Sequence, residues 1–133
     1  MAAECVVDPI AARAASPVVL IVEDEILIRM LLCETLRLAG YVVIEAANAE
    51  EAVVVLHASL DPDILITDVK MPGAIDGFEL AAYVRRTKPG LKVIITSGHA
   101  YPDQAHGLAD AFVPKPYDLG AIMGRVRALI EAT

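Results

Sequence analysis

Apolar runs too short to be anything but strands alternate with stretches of helical periodicity along almost the whole chain. Val18 to Val22 is continuously apolar and largely β-branched, which suits a strand covered on both faces. Residues 26–39 come next with apolar positions at helical spacing, and Gly40 closes that helix. Residues 41–45 give a second strand. Asn48, with Glu51 three positions on, starts a helix that runs to about residue 59 and is broken by Asp61 and Pro62. A third strand is predicted over 63–67, a helix over 77–87 capped by Asp76 with Glu79 in its first turn, and a turn at Lys88-Pro89-Gly90. The fourth strand covers 91–96. Residues 101–109 hold Pro102 and Gly107 and form only a weak helix. A short strand over 111–113 runs into Pro114, which suits a sheet edge, and Asp118 caps a last helix reaching about residue 131. This alternation predicts an α/β fold, a five-stranded parallel sheet with helices on both faces.

In such a sheet all strands end at one edge, where ligands bind. The residues just past each run are therefore informative: Glu23 and Asp24 after the first, Asp68 after the third, Ser97 after the fourth, Lys115 after the fifth. Clustered carboxylates repel one another unless a cation offsets them. An all-oxygen set suits Mg²⁺, whereas zinc would need histidine or cysteine, and His57, His99 and His106 are scattered. A carboxylate beside Mg²⁺ and a lysine is equipped for covalent phosphoryl transfer, with Ser97 adding a hydroxyl donor. Taken singly, Asp24 could be a helix cap, Ser97 a turn hydroxyl and Lys115 a solvated charge. Their joint placement at strand ends favours a shared site.

Composition narrows the field. At 133 residues the chain makes one domain. A hydrophobic content of 56% with 5% aromatics describes an aliphatic core. The net charge of −7 and pI near 4.8 argue against nucleic acid as a partner. No apolar run approaches the roughly 20 residues of a membrane span, and Cys5 and Cys33 form no disulfide framework, so a cytoplasmic location with free thiols is expected, Cys33 being buried on its helix. Residues 1–16, rich in alanine, are expected to be a flexible N-terminal extension ahead of a domain over 17–133.

The residues at the strand ends match a family. The chain resembles the receiver domain of two-component response regulators: Val22-Glu23-Asp24 is similar to its acidic pair, Thr67-Asp68 with Met71-Pro72 and Asp76-Gly77 to its phosphoacceptor segment, Ile95-Thr96-Ser97-Gly98 to its Ser/Thr segment, and Lys115-Pro116 to its lysine and proline. The resemblance implies a flavodoxin-like, doubly wound fold of strand order 2-1-3-4-5. It also implies that Asp68 accepts a phosphoryl group from a sensor histidine kinase, that Asp24, Asp68 and the Lys70 carbonyl bind Mg²⁺ with Glu23 acting directly or through water, and that Lys115 contacts the phosphoryl group. The bond from Lys115 to Pro116 is expected to be cis. Ser97 and Phe112 would act as switch residues, Ser97 turning toward the phosphoryl oxygen and Phe112 moving inward behind it. Phe112 as edge-strand core is the alternative.

Several features are this chain's own. The segment from Met71 to Gly77 is one residue longer than the common family spacing, and the acidic pair begins with Glu23 rather than the commoner Asp. On the resemblance, Lys70 and His99, each two residues past a site residue, would flank the line of water attack on an aspartyl phosphate and set its lifetime; surface solvation is the alternative for both. With its last helix ending near residue 131, the chain is expected to be a receiver without a DNA-binding output domain, catalysing only its own phosphorylation and dephosphorylation. It would act through protein contacts, relaying to a histidine phosphotransfer protein or binding an unknown downstream target, as a monomer or a phosphorylation-linked homodimer. Ile122, Met123, Val126, Leu129 and Ile130 of the last helix could serve either the core or a partner, and the core is expected. The competing readings are a Mg²⁺-dependent phosphohydrolase with an aspartate nucleophile, and a receiver that only scaffolds.

Overall fold

The computed structural model describes residues 16–58, 61–99 and 102–132, so the expected extension, apart from Ser16, and Cys5 lie outside the described residues. The elements are β1 (Val18–Val22), α1 (Ile26–Leu38), β2 (Val42–Ala46), α2 (Ala49–His57), β3 (Ile64–Asp68), α3 (Gly77–Thr87), β4 (Lys92–Ser97), α4 (Pro102–Ala105), β5 (Ala111–Pro114) and α5 (Leu119–Glu131). The five strands form one sheet in the order β2-β1-β3-β4-β5, and every pairing is parallel. The expected doubly wound architecture is therefore present.

Strand side chains alternate between faces, and the sheet sorts its apolar residues accordingly. Leu20, Val22, Leu65, Val93 and Ile95 pack with Ala52 and Leu56 of α2 and Leu80 and Val84 of α3. Val19, Ile21, Ile64, Ile66 and Ile94 pack on the other face with Leu32, Cys33 and Leu36 of α1 and Ile122 and Val126 of α5. Each such aliphatic side chain contributes about 1.5–3 kcal/mol through removal from water. Met123, Leu129 and Ile130 lean on this second core, as expected, and Cys33 is buried.

The helix starts are local chemistry. Asn48 accepts from the Glu51 amide, Asp118 accepts from the Ala121 amide, and Asp76 and Glu79 form a full capping box. Asp24 is not a cap: α1 starts after Glu25, which makes no side-chain capping bond. Two elements depart from the sequence pattern. The weak helix over 101–109 shrinks to a single turn, Pro102–Ala105, and Gly107 at φ +83° turns the chain toward β5. Helix α1 buries one narrow face and leaves Ile26, Leu27, Met30, Leu31 and Leu38 exposed.

Candidate functional site

The first acid of the site is held from four directions. Glu23 leaves the end of β1 at 3% exposure, and its Oε1 accepts from Lys115 Nζ at 2.8 Å. Its Oε2 accepts from the Glu25 amide at 3.1 Å, its own amide donates to the Ala46 carbonyl, and its carbonyl accepts from Arg29 Nη1 at 2.7 Å. Asp24, one residue on, turns to solvent.

Asp68 ends β3. Its Oδ1 accepts from the Val69 amide at 2.8 Å and its Oδ2 from Lys115 Nζ at 3.1 Å. Behind it the chain is unusually close-packed: the Gly77 amide donates to the Val69 carbonyl at 2.8 Å, and a Cβ on Gly77 would overlap the Asp68 carbonyl oxygen and stand 2.9 Å from Val69 Cα. The first residue of α3 must therefore be glycine for Asp68 to sit where it does.

Strands β4 and β5 complete the edge. Ser97 is 2% exposed, its hydroxyl accepts from the His99 amide at 3.0 Å, and its carbonyl accepts from the Lys115 amide at 2.7 Å. That backbone bond sets Lys115 at the height of the acids, and the Lys115-Pro116 peptide is cis, as expected. Asp24, Asp68, Lys70, Ser97, His99 and Lys115 line a cavity of about 260 Å³. A second cavity of about 430 Å³ adjoins it through Gly98 and Lys115, walled by Ile28 and Leu31 of α1 and by Tyr117 and Leu119.

Burial raises the Glu23 carboxyl above its ordinary value, and the Lys115 hydrogen bond offsets only part of that rise. Burial pulls Lys115 the other way, but the hydrogen bond to Glu23 and the charge of Asp68 outweigh it, leaving the ammonium above its ordinary 10.5. Burial also raises the Tyr117 phenol. Glu23, Asp24 and Asp68 each bring a carboxylate oxygen to within 4.8 Å of the others, an oxygen-only set of the kind a hard cation takes.

The residues picked out at the strand ends thus converge, with Lys115 bridging two of the three acids. Phe112 of β5 is half-buried against the core under α2 and α3. Sequence reasoning missed Arg29, which ties the Glu23 carbonyl to Glu45 of β2 through a second contact at 3.3 Å. It also missed Glu50 of α2, whose Oε2 accepts from the Ala74 amide in the loop after Asp68 at 2.8 Å. The long loop itself was the available signal, since an extra residue needs an anchor.

A profile of the response regulator receiver domain matches residues 19–127. The sensor kinase CckA of Brucella abortus is 38% identical over 123 residues, which cover 89% of this chain and 13% of that protein. The response regulator MprA of Mycobacterium ulcerans is 34% identical over 119 residues, 86% of this chain and 50% of that protein. The chain therefore spans about half, or far less, of the length of these curated relatives. Among solved structures, the response regulator TrrA of Thermotoga maritima, in complex with Mg²⁺ and BeF, superposes with a TM-score of 0.78 at 34% identity, covering 85% of this chain and 98% of that one. The acid-lined sheet edge, the all-parallel topology and these matches together make the chain a member of the response regulator receiver domain family.

Proposed function

We propose that the chain accepts a phosphoryl group on Asp68 from the phosphohistidine of a sensor histidine kinase or histidine phosphotransfer protein. The observation that carries this reading is the placement of Lys115 Nζ, 2.8 Å from Glu23 and 3.1 Å from Asp68 at a cavity open to solvent. An Asp68 oxygen attacks phosphorus, the phosphorus–nitrogen bond breaks, and the electron pair returns to the donor imidazole. Lys115 is placed to contact an oxygen of the arriving group, and Glu23 holds that ammonium in place. Ser97 supplies a second donor when its hydroxyl turns from the His99 amide toward the phosphoryl oxygen. Phe112, half-buried on β5 against the core under α2 and α3, would move in turn and alter the face that a downstream protein contacts.

The donor set fits Mg²⁺: Asp24 and Asp68 present carboxylates to the cavity, Glu23 lies behind them, and the Lys70 carbonyl comes two residues after Asp68. Bound there, Mg²⁺ would neutralise charge on the phosphoryl oxygens. That TrrA was solved with Mg²⁺ and BeF supports this assignment. The exposed Ile26, Leu27, Met30 and Leu31 of α1, of which Leu31 walls the adjoining cavity, offer an apolar surface on which a phosphodonor protein can seat.

Release of the group requires water to attack phosphorus opposite the Asp68 oxygen. Lys70 and His99, exposed at the cavity mouth, stand where they restrict that approach. Replacing Lys70 by alanine is expected to change the dephosphorylation rate; an unchanged rate removes it from this role.

Incubation with a small phosphodonor and Mg²⁺, alongside Asp68→Asn, tests the whole reading. A stoichiometric, acid-labile adduct lost in Asp68→Asn supports a phosphoacceptor. Continuous turnover of a phosphate ester would make the chain a phosphohydrolase, and absence of any adduct would leave a scaffold.

A further inference from the structure

The loop from Lys70 to Asp76 carries an extra residue, and three observations show how the fold accommodates it. The Glu50 Oε2 atom accepts from the Ala74 amide at 2.8 Å, across 24 positions of sequence. Gly73, beside it, has φ +109°, a conformation that side chains oppose, and a Cβ there would stand 2.6 Å from Glu50 Oε1. Glu50 Oε1 is itself buried and has no hydrogen-bond partner among the described residues. Fully buried acceptors are seldom left unpaired, because the lost hydration is not recovered. Turned outward, this carboxylate would be hydrated; it is instead held against the loop by its other oxygen.

The consequence lies at the neighbouring end of the loop. Asp76 is fixed by the capping box of α3, and Gly77 is wedged against the Asp68 carbonyl, so the far end cannot move. The near end continues from Asp68 directly through Val69, whose amide is shared between Asp68 Oδ1 and the Thr96 carbonyl. Between these fixed ends, the path of residues 70–75 is set by Glu50. We infer that Glu50 is a positioning residue for cation binding: through Ala74 and Gly73 it fixes the direction of the Lys70 carbonyl at the acidic site.

This inference rests on the proposed use of Mg²⁺, and its test separates the two. Mg²⁺ binding is measured by calorimetry on the unphosphorylated protein, and exchange of the Ala74 amide is tracked by NMR without metal, in wild type, Glu50→Ala, Glu50→Gln and Gly73→Ala. Glu50→Ala should speed Ala74 exchange and weaken Mg²⁺ binding roughly tenfold, the scale for groups that orient metal ligands. Glu50→Gln keeps an acceptor for Ala74 and should stay near wild type, while Gly73→Ala, which pushes the carboxylate away, should resemble Glu50→Ala. If Glu50→Ala does not fold, the contrast between Glu50→Gln and Gly73→Ala carries the same comparison. Faster Ala74 exchange with unchanged Mg²⁺ affinity would overturn the inference. Failure of the wild type to bind Mg²⁺ would instead overturn the reading beneath it.

Discussion

The two acid-bearing ends of the sheet are built by different means. At the end of β1 the geometry is ionic: Glu23 is fixed by the Lys115 ammonium, the Arg29 guanidinium and the Glu25 amide. At the end of β3, beyond the one Lys115 contact to Asp68, the seat is backbone fit: Asp68 is backed by Gly77, and the loop after it is fixed by the Asp76 capping box and the Glu50 contact. An ionic clamp fails by losing a charge and so depends on pH. A steric seat fails by gaining an atom and does not. The site joins a part that responds to charge to a part that holds still.

Lys115→Met should show the largest effect. It leaves Glu23 buried without its cation, and breaking a buried pair costs about 3 kcal/mol. Urea unfolding should show that loss at neutral pH. The loss should shrink as pH falls through the Glu23 value, which burial has raised above the ordinary 4.5, because the buried carboxyl then takes up a proton.

Gly77→Ala attacks the other end. Its Cβ meets main-chain atoms that cannot yield as a flexible side chain can, so a loss of about 1–3 kcal/mol is expected, equal at acidic and neutral pH. A pH-dependent loss in Gly77→Ala would erase the distinction between the two ends.

Alkaline titration sharpens it further. Lys115 is raised in the folded state, so its contribution is fully present below 10.5 and is lost as pH rises through its higher folded value. Tyr117 and the buried Cys33 thiol, which burial pushes up to about 11, lose stability in the same direction, so Tyr117→Phe combined with Cys33→Ala is the control background. In that background the urea midpoint should still fall above pH 10.5, and Lys115→Met should remove the remaining fall.

Two smaller effects complete the series. Asp76→Ala, which removes half of a capping box, should cost about 1 kcal/mol with no pH dependence above the carboxylate range. Asp61→Asn, breaking a solvent-exposed pair with Lys88 far from the site, should change the thermal midpoint little, by the equivalent of less than about 1 kcal/mol.

The charged residues of the site and the local cap beside it were legible in the sequence, and the long-range contact that seats the loop was not. Glu23, Asp68 and Lys115 each come at the end of an apolar run, and parallel strands must end at one edge, so their convergence results from order alone. Asp76 and Glu79 were equally readable, because a capping box is local. The anchoring of residue 74 by Glu50 spans 24 positions and leaves no periodic trace. Helix α1 shows the same limit from another side: apolar residues surround most of its circumference, so periodicity could not tell that Leu32, Cys33 and Leu36 go inward while Leu27 and Leu31 stay out. The helix over 101–109 was overextended because its end depends on Gly107 at positive φ, which a Pro- and Gly-bearing segment only hints at.

The central claim is that Asp68 is the nucleophile that becomes phosphorylated. An aspartyl phosphate is a mixed anhydride, which borohydride reduces at the acyl carbon, converting the aspartate that carried the phosphoryl group to homoserine. Wild-type protein treated with a small phosphodonor and Mg²⁺, reduced and mapped by peptide mass spectrometry, should carry homoserine at position 68 and nowhere else. Homoserine at Asp24 or another acid, or none at any position, would contradict the account.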